Sequence, residues 1–548
     1  MVLVTRHVRS SLVAFITCLL LFCCSKTDST PPSKPSPSKP QPCIGGVYRS
    51  PLLNSPASLD PVYVEDIYGI TVVNQLFDGL VRFNAELLIT PALAENWQIE
   101  EGGKVYRFFL RENARFHNGL PVTSRDVVFS LRRLIAARPA PSILPHLLRI
   151  VGAVEFREHG GIDLPGVYSN GDREVVVRLE EPYVPFLAAM GMHQTKVVPE
   201  NEVTRSEMGF GRHPIGSGPF SFVSWEDNVI RLGRFPDYYG GPAYLDGLQF
   251  VIYPGGKIEE ALGDFQGRRL HDLPVLGKVR QALAAQTDLV RLHRPSLSLL
   301  FYGINCENGL LREVRLRKAL SLAIDRQKLA QTVYQGQFEP MECLLPPGMP
   351  GYSPDRKKVL DDPAAAEKEL DDSLRERISM APALEIVSAV QSPIAKGEIE
   401  FVSNCWATLG IRVEPKFILD WAKFQEYLRT DAVQVYRYAW FVDLPDADNV
   451  FQSLFGSDSK NNFMRFRSGS LDQMLGLARR SLLPTERQAI YQGIEDQVLM
   501  AQPLIPLVHL SVDHVYHTNV HGIQLSALGD HATRFHQVWL DQPTEPGN

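Results

Sequence analysis

The apolar positions of the chain follow two periods in turn, one typical of strands and one typical of helices. Residues 97–110 predict a hairpin that turns at Gly102 and Gly103. Thr123, with Asp126 three residues later, predicts a capping box at the start of a helix. This mixture, without an internal repeat, predicts a mixed α/β fold. Further strands are predicted at 47–53, 174–179, 248–253, 299–305, 411–417 and 503–510, and further helices at 315–329, 398–409 and 485–500.

One apolar stretch differs from the others because it carries a carboxylate into a polar turn. Residues 436–442 are strand-prone, and Asp443 follows them directly. A charge at the end of a half-buried strand is costly to desolvate unless a cation neutralises it, and Arg437 is the nearby candidate. One interpretation is that the missing cation belongs to a ligand. The other is that Asp443, Asp446 and Asp448 only build Asx-turns.

The N-terminus has the pattern of an export signal. A positively charged segment precedes an apolar run at 11–22, which is too short to span a membrane as a helix. Because this run ends in Cys23 and Cys24, it resembles a bacterial lipobox. We therefore expect residues 1–24 to be a lipoprotein signal peptide that leaves a lipid on Cys24. Lipidation of Cys23 and an ordinary cleaved secretory signal are the alternatives.

Residues 25–44 follow with a composition dominated by Ser, Pro and Lys. Such a segment cannot bury apolar surface, so we expect a disordered tether. At roughly 3.1 Å per residue, its reach is on the order of 50 Å. A lipid at one end and a globular part at the other predict an exported protein. It would be anchored on the extracytoplasmic side of a bacterial membrane, in the periplasm.

Composition limits what the rest of the chain can do. The 548 residues predict two or three domains, and 44% apolar residues with a net charge of −6 are typical of a globular protein. The absence of a dense Lys/Arg patch disfavours a nucleic-acid partner. The absence of HExxH, GxSxG and grouped His/Cys ligands disfavours an enzyme or a metal site. Beyond the signal, the cysteines that allow three full disulfide pairings are Cys43, Cys306, Cys343 and Cys405.

The spacing of residues in 94–130 is specific enough to indicate a family. It resembles the signature of the peptide-type extracellular solute-binding proteins of ABC importers, solute-binding family 5. Other family blocks are matched in order at 58–61, 77–80, 216–220, 236–239, 314–326 and 345–348, so the resemblance covers about residues 45–540. The signature positions are Trp97, Phe109, Leu110, Arg111, Phe116, His117, Gly119, Thr123, Asp126 and Val127.

The resemblance implies an α/β, periplasmic-binding-protein type II-like two-lobe fold with an extra inserted domain. Lobe I would comprise 45–80, 209–285 and 510–545, the inserted domain 81–208, and lobe II 286–509. Ligand would bind between lobes that close by hinge motion.

The resemblance also implies a function. The protein would bind peptides and deliver them to the permease subunits of an ABC importer in the membrane. We expect a monomer without catalytic residues or cofactors. The alternatives are another solute, namely a nickel chelate, haem or a sugar, and a peptide sensor or chaperone without transport.

Roles for particular residues follow from the resemblance as well. The family pattern Trp-x-x-Asp-x-x-Asp-x-Asp-Asn is matched from Trp440 to Asn449. It places Asp443 where peptide-binding members bind the α-ammonium group of the ligand. Trp440, Phe441 and Tyr68 are the expected pocket-lining residues, with ordinary core packing as the alternative.

Two departures from the family pattern affect the expected ligand. Ala439 stands where the family usually has a Gly, which narrows access to the backbone. Dipeptide binders place an Arg for the ligand carboxylate in the second lobe. The corresponding segment here has Ser392 instead, with Lys396 nearby. The missing Arg favours longer peptides or a different solute over a strict dipeptide specificity.

Overall fold

The computed structural model describes residues 41–161, 163–356 and 361–541. The expected signal peptide with Cys24, and the expected tether before residue 41, lie outside the described residues. Within the described ranges, no helix is both long enough and apolar enough to cross a membrane.

The first lobe is built on two sheets. A four-stranded sheet has the order Val47–Leu52, Gly247–Ile252, Val229–Arg234 and Phe220–Glu226, and its first pair is parallel, with Val47 opposite Gly247. Helix Ile67–Leu76 packs on this sheet, and its N-terminus is capped by Asp66, which accepts a hydrogen bond from the Gly69 N–H at 2.7 Å. A three-stranded sheet has the order Asp272–Pro274, Ser511–His517 and Leu289–Pro295.

A further four-stranded sheet contains the hairpin predicted at 97–110. Its order is Ala94–Glu100, Val105–Leu110, Glu174–Arg178 and Val167–Ser169. The turn has φ values of 64° and 99° at Gly102 and Gly103, a conformation that favours glycine, so the hairpin prediction is confirmed. The predicted capping box is also confirmed. Asp126 accepts hydrogen bonds from the backbone N–H and the hydroxyl of Thr123 at the start of helix Ser124–Ala136.

The second lobe is built on a six-stranded sheet. Its order is Glu339–Pro340, Leu504–His509, Ser298–Ile304, Val435–Phe441, Leu384–Ser388 and Val413–Phe417. Every residue of the two central strands Ser298–Ile304 and Leu504–His509 is buried, as their continuous apolar pattern predicts. The helices around this sheet are Val314–Leu322, Arg326–Thr332, Pro363–Lys368, Asp372–Met380, Pro393–Ala407, Trp421–Leu428, Ala447–Phe455, Gly469–Arg480 and Pro484–Ala501.

Two predicted helices differ from the observed ones because of capping residues. The predicted helix 315–329 is two helices, because Asp325 accepts a hydrogen bond from the Lys328 N–H at 2.8 Å and starts a new helix there. The predicted helix 398–409 begins five residues earlier, at Pro393, because Ser392 accepts a hydrogen bond from the Ala395 N–H. Ser392 therefore has a local structural role as an N-cap.

The chain passes directly from one lobe to the other at two adjacent places. Strand Leu289–Pro295 of the first lobe continues into Ser298–Ile304 of the second, and Leu504–His509 of the second continues into Ser511–His517 of the first. A hydrogen bond of 2.8 Å from the Ser296 N–H to the Leu510 carbonyl joins these crossings. The predicted two-lobe α/β fold is confirmed.

The described residues also include free thiols and further helices. Cys306, Cys343 and Cys405 carry free thiols, so none of the three full pairings of the four cysteines is formed. The helices of the first lobe and of the 94–178 sheet region not yet named are Leu144–Leu147, Ala153–His159, Pro185–Ala189, Glu200–Arg205, Glu207–Phe210, Ile258–Gln266 and Lys278–Leu283.

Candidate ligand-binding cleft

A cavity of about 950 Å³ lies where the two lobes face each other. This is the upper end of the usual size range of small-molecule sites. Helix Ile67–Leu76, the segments around residues 82–91, 142–146 and 191–196, and the chain near 522–537 line one side. The crossing at Ser296 and Leu297 and the turn at 441–444 line the other.

The strand that carries Asp443 into the cavity is held firmly. Val435–Phe441 pairs antiparallel with Ser298–Ile304 along its whole length, and the Val442 N–H donates to the Leu297 carbonyl at 2.8 Å. Alternation along the strand leaves Val442 buried and turns Phe441, which is 58% exposed, towards the cavity. Phe441 and Asp443 therefore line the cavity, as their assignment as site residues requires.

The carboxylate of Asp443 has no hydrogen bond or ion pair with any described residue, although protein atoms crowd around it. This burial, together with the nearby carboxylate of Glu65, raises the pKa of Asp443. Glu65 itself accepts hydrogen bonds from the backbone N–H and the hydroxyl of Ser142 at 3.0 and 2.9 Å. Glu65, which belongs to the first lobe, also lines the cavity, so Asp443 has a second carboxylate near it and no compensating cation among the described residues.

The two other aspartates of the turn have structural partners. Asp446 caps helix Ala447–Phe455 by accepting from the Asp448 N–H, and it forms a two-pronged ion pair with Arg487 at 2.7 and 2.6 Å. Asp448 is paired in the same way with Arg479 at 2.7 and 3.0 Å. The Asx-turn interpretation is therefore confirmed for Asp446.

Arg437, the nearby cation that the sequence suggested for the turn, pairs elsewhere. Its guanidinium binds the fully buried carboxylate of Glu398, with distances of 2.8 to 3.0 Å. Arg437 therefore supplies no cation to the aspartates of the turn, because its charge is already paired with Glu398.

Trp440 and Tyr68 do not line the cavity, in contrast to the expectation. Trp440 packs against the core of the second lobe and donates its indole N–H to the Asn449 side chain at 3.2 Å. Tyr68 is partly buried and packs against the core of the first lobe. Trp440 thus holds Asn449, which does line the cavity, while Tyr68 has the core-packing role given as its alternative.

A group of basic side chains on the first-lobe side of the cavity was missed by the sequence reasoning. It consists of Arg82, Arg111, Lys196 and Arg534, all of which line the cavity. Arg82, Lys196 and Arg534 act on Asp78, which is fully buried and accepts hydrogen bonds from the hydroxyls of Tyr238 and Tyr239 and from Arg534, each at 2.8 Å. Burial opposes ionisation of Asp78, but Arg534, Arg82 and Lys196 hold its pKa well below the usual range.

Only part of this basic group had a detectable signal in the sequence. Asp78, Tyr238 and Tyr239 lie in two of the blocks that match the family, and Arg111 belongs to its signature. Arg82, Lys196 and Arg534 are single residues separated by more than a hundred positions, with no spacing pattern that links them.

The cavity combines a large volume with charged side chains of both signs, as a binding site for a polar ligand requires. Within the described residues, no group of three or more His, Cys, Asp or Glu side chains is arranged to hold a metal ion. His146 and His193 line the cavity, and burial lowers the pKa of His146 to about 4 and that of His193 to about 3, so both rings are neutral near pH 7. The charged groups available to a ligand are therefore the carboxylates of Asp443 and Glu65 and the basic side chains on the first-lobe side.

Comparisons with known proteins agree with this architecture. A dipeptide-binding protein of Escherichia coli strain K12 is 27% identical over 480 residues, which are 83% of this chain and 88% of that protein. A probable deoxycholate-binding periplasmic protein of the same strain is 26% identical over 486 residues, 83% of this chain and 86% of that protein. The unliganded open form of the periplasmic murein tripeptide-binding protein MppA superimposes with a TM-score of 0.81 at 20% identity. That superposition covers 91% of this chain and 99% of MppA.

A family model also matches this chain. The model described as "Bacterial extracellular solute-binding proteins, family 5 Middle" matches residues 89–462, which is more than half of the 548 residues. The chain therefore belongs to the bacterial extracellular solute-binding proteins of family 5.

Proposed function

We propose that the protein is the peptide-binding component of an ABC importer and that Asp443 binds the α-ammonium group of the peptide. The observation that carries this proposal is the Asp443 carboxylate, which faces a cavity of about 950 Å³ without a partner among the described residues. An ammonium group placed there would form a charge-assisted hydrogen bond and would relieve the repulsion from Glu65. The Escherichia coli relative named for dipeptide binding supports this choice of solute.

The strand that leads to Asp443 can also bind the peptide backbone. On its other side, Val435–Phe441 pairs with Leu384–Ser388 only at Val435 and Tyr436. In the described part of the chain, the edge from Arg437 to Phe441 therefore has no strand partner on that side. An extended peptide could add to this edge through main-chain hydrogen bonds, a mode that does not depend on the peptide's sequence.

The mode of action follows from the two crossings between the lobes. We propose that the adjacent crossings near Ser296 and Leu510 form the hinge, and that closure buries the ligand before delivery to a membrane permease. The lobe boundaries given above, with an inserted domain at 81–208, belong to this proposal. So do export, a lipid anchor on Cys24, a monomeric state and a binding role without catalysis.

A comparison of peptides with and without a free amino group tests this proposal. Free tri- and tetrapeptides are expected to raise the melting temperature of the protein, and the same peptides with an N-terminal acetyl group are not, because acetylation removes the ammonium charge. The measurement is a thermal-shift screen followed by calorimetric titration of the best peptide. Equal shifts from free and acetylated peptides would contradict the role of Asp443.

A further inference from the structure

We propose that the cleft contains a second subsite, formed by Lys196, Arg82 and Arg534, which binds a carboxylate of the ligand at a distance from Asp443. This inference rests on the proposed function and adds to it the class of ligand, namely a dipolar solute with an ammonium group and a separate acidic group. The carboxylate is either the C-terminus of a peptide or an acidic side chain.

The proposal depends mainly on the buried ammonium group of Lys196. Its side chain is only 3% exposed, it lines the cavity, and its ammonium group has no hydrogen bond or ion pair with a described residue. A hydrogen bond of 3.0 Å from the Val197 N–H to the Asp78 carbonyl holds the backbone next to Lys196 beside the basic group. A buried ammonium without a partner is costly, and an anionic ligand group would supply the partner.

Contacts with neighbouring side chains hold Arg82 and Arg534 in place but use only some of their N–H donors. Arg82 donates to the Tyr238 hydroxyl at 3.0 Å, and Arg534 donates from one amino group to Asp78. The residues flanking Arg534 are fixed by Gln75, which donates to the Thr533 carbonyl and accepts from the Phe535 N–H. A guanidinium has five N–H donors, so both arginines retain donors for a ligand.

The charges at this place are not balanced by the protein. Arg82, Lys196 and Arg534 all interact with a single buried carboxylate, that of Asp78. Arg111 adds a further positive charge and stacks over the Tyr239 ring at 5.2 Å. One negative charge among these cations leaves an excess that a carboxylate of the ligand would reduce.

Asp443 and the basic group around Lys196 have different charged neighbours. The group that acts on the pKa of Asp443, besides the surrounding protein, is Glu65. The groups that act on Lys196, besides its burial, are Arg534, Asp78 and Arg82. A ligand that contacts both Asp443 and the basic group must therefore carry two opposite charges.

The pH dependence of ligand binding provides an independent test of the role of Lys196. Burial lowers the pKa of Lys196 to about 7, with Arg534 and Arg82 acting in the same direction and Asp78 against it. The fourth titratable neighbour, His193, has a pKa of about 3 and stays neutral over the range of interest. Lys196 is therefore charged below pH 7, and its attraction for a carboxylate weakens as the pH rises through that value.

The test uses calorimetric titration with two pairs of peptides that share a free amino group. The first pair is Ala-Ala-Ala as the free acid and as its C-terminal amide, and the second is the C-terminal amides of Ala-Glu-Ala and Ala-Gln-Ala. In one of the two pairs, the wild-type protein is expected to bind the peptide with the additional carboxylate roughly tenfold to a hundredfold more tightly than the other peptide. The pair that shows the preference identifies the source of the carboxylate.

The variant Lys196→Met is expected to lose this preference, and Lys196→Gln, which keeps a polar group, serves as a second variant. Lys396→Met is the matched control, because Lys396 lies over the Phe417 ring outside the cavity and should leave the preference unchanged. In the wild type, the preference is expected to be larger at about pH 6 than at about pH 8.5, whereas in Lys196→Met it should not vary with pH.

Two outcomes would contradict the proposed subsite. The first is that Lys196→Met prefers the peptide with the additional carboxylate as strongly as the wild type does. The second is that the wild type shows no such preference in either pair. An acid preference that persists in an Asp443→Asn variant supports the subsite even if the free-amine requirement fails.

If none of the peptides binds, the proposed function is contradicted, and the subsite is decided with sodium citrate as the probe. Citrate that stabilises wild type no more than Lys196→Met would then overturn it.

Discussion

Asp443→Asn is expected to weaken the binding of free peptides by roughly thirtyfold or more and to remove the difference between free and N-acetylated peptides. The substitution keeps the shape of the side chain but removes the charge that we propose to bind the ammonium group. The effect should be large because the site is partly desolvated and Asp443 has no protein partner among the described residues to share its charge. Calorimetric titration of one peptide against both proteins measures it.

The same variant should not be less stable than the wild type when no ligand is present. Because the folded protein raises the pKa of Asp443, its ionised form is penalised in the native state at neutral pH. The Asn variant avoids this penalty, so its melting temperature should equal or exceed that of the wild type at pH 7. The difference should shrink as the pH falls towards the ordinary aspartate pKa of 3.8.

Asp227→Asn is a suitable control for both measurements. Asp227 lies in the exposed turn between strands Phe220–Glu226 and Val229–Arg234 with a φ of 49°, a conformation that Asn accepts well. It does not line the cavity. A thirtyfold loss of affinity in Asp227→Asn, or an unchanged requirement for the free amine in Asp443→Asn, would contradict the assignment.

Asp446→Ala is expected to have the opposite profile and to reduce the free energy of unfolding by about 3–5 kcal/mol. Its side chain is 6% exposed and that of Arg487 is 11% exposed, so removing the aspartate leaves a buried guanidinium without its ion pair. The substitution also removes the N-cap of helix Ala447–Phe455. Chemical denaturation of the unliganded protein, followed by circular dichroism, measures the change.

A double variant separates the ion pair from the other effects of this substitution. Asp446→Leu combined with Arg487→Met removes both charges and is expected to recover most of the lost stability, because no unpaired charge remains. If the single variant loses less than about 1 kcal/mol, or if the double variant is the less stable of the two, the ion pair is not what stabilises the turn.

The fold was predictable where the determining interactions are local. Gly102 and Gly103 adopt the positive φ values that the hairpin turn requires, and Thr123 and Asp126 interact across three residues. The prediction of a single helix at 315–329 was wrong, and the reason is again a local interaction. Asp325 is a good N-cap, but the apolar spacing continued through it and concealed the start of a second helix.

The candidate site was predictable to a smaller extent. Asp443, identified from a family pattern, and Phe441, expected as a pocket-lining residue, do line the cavity, whereas Trp440 and Tyr68 belong to the cores of the two lobes. An aromatic side chain next to a site residue has the same pattern in the sequence whether it faces the ligand or the core. The direction depends on how the strand and the helix are rotated against their neighbours.

The sequence by itself determined the α/β elements, the family and the position of a turn crowded with aspartates. Only the tertiary structure decided which of these aspartates is available to a ligand. Arg487 and Arg479 lie 41 and 31 residues from their partners Asp446 and Asp448, and the turn reaches them only after helix packing. The same holds for Lys196, which becomes an unpaired buried cation only when Asp78, Arg82 and Arg534 come together around it. Capping depends on neighbours in the chain, but the pairing of buried charges depends on neighbours in space, and those are defined by the fold.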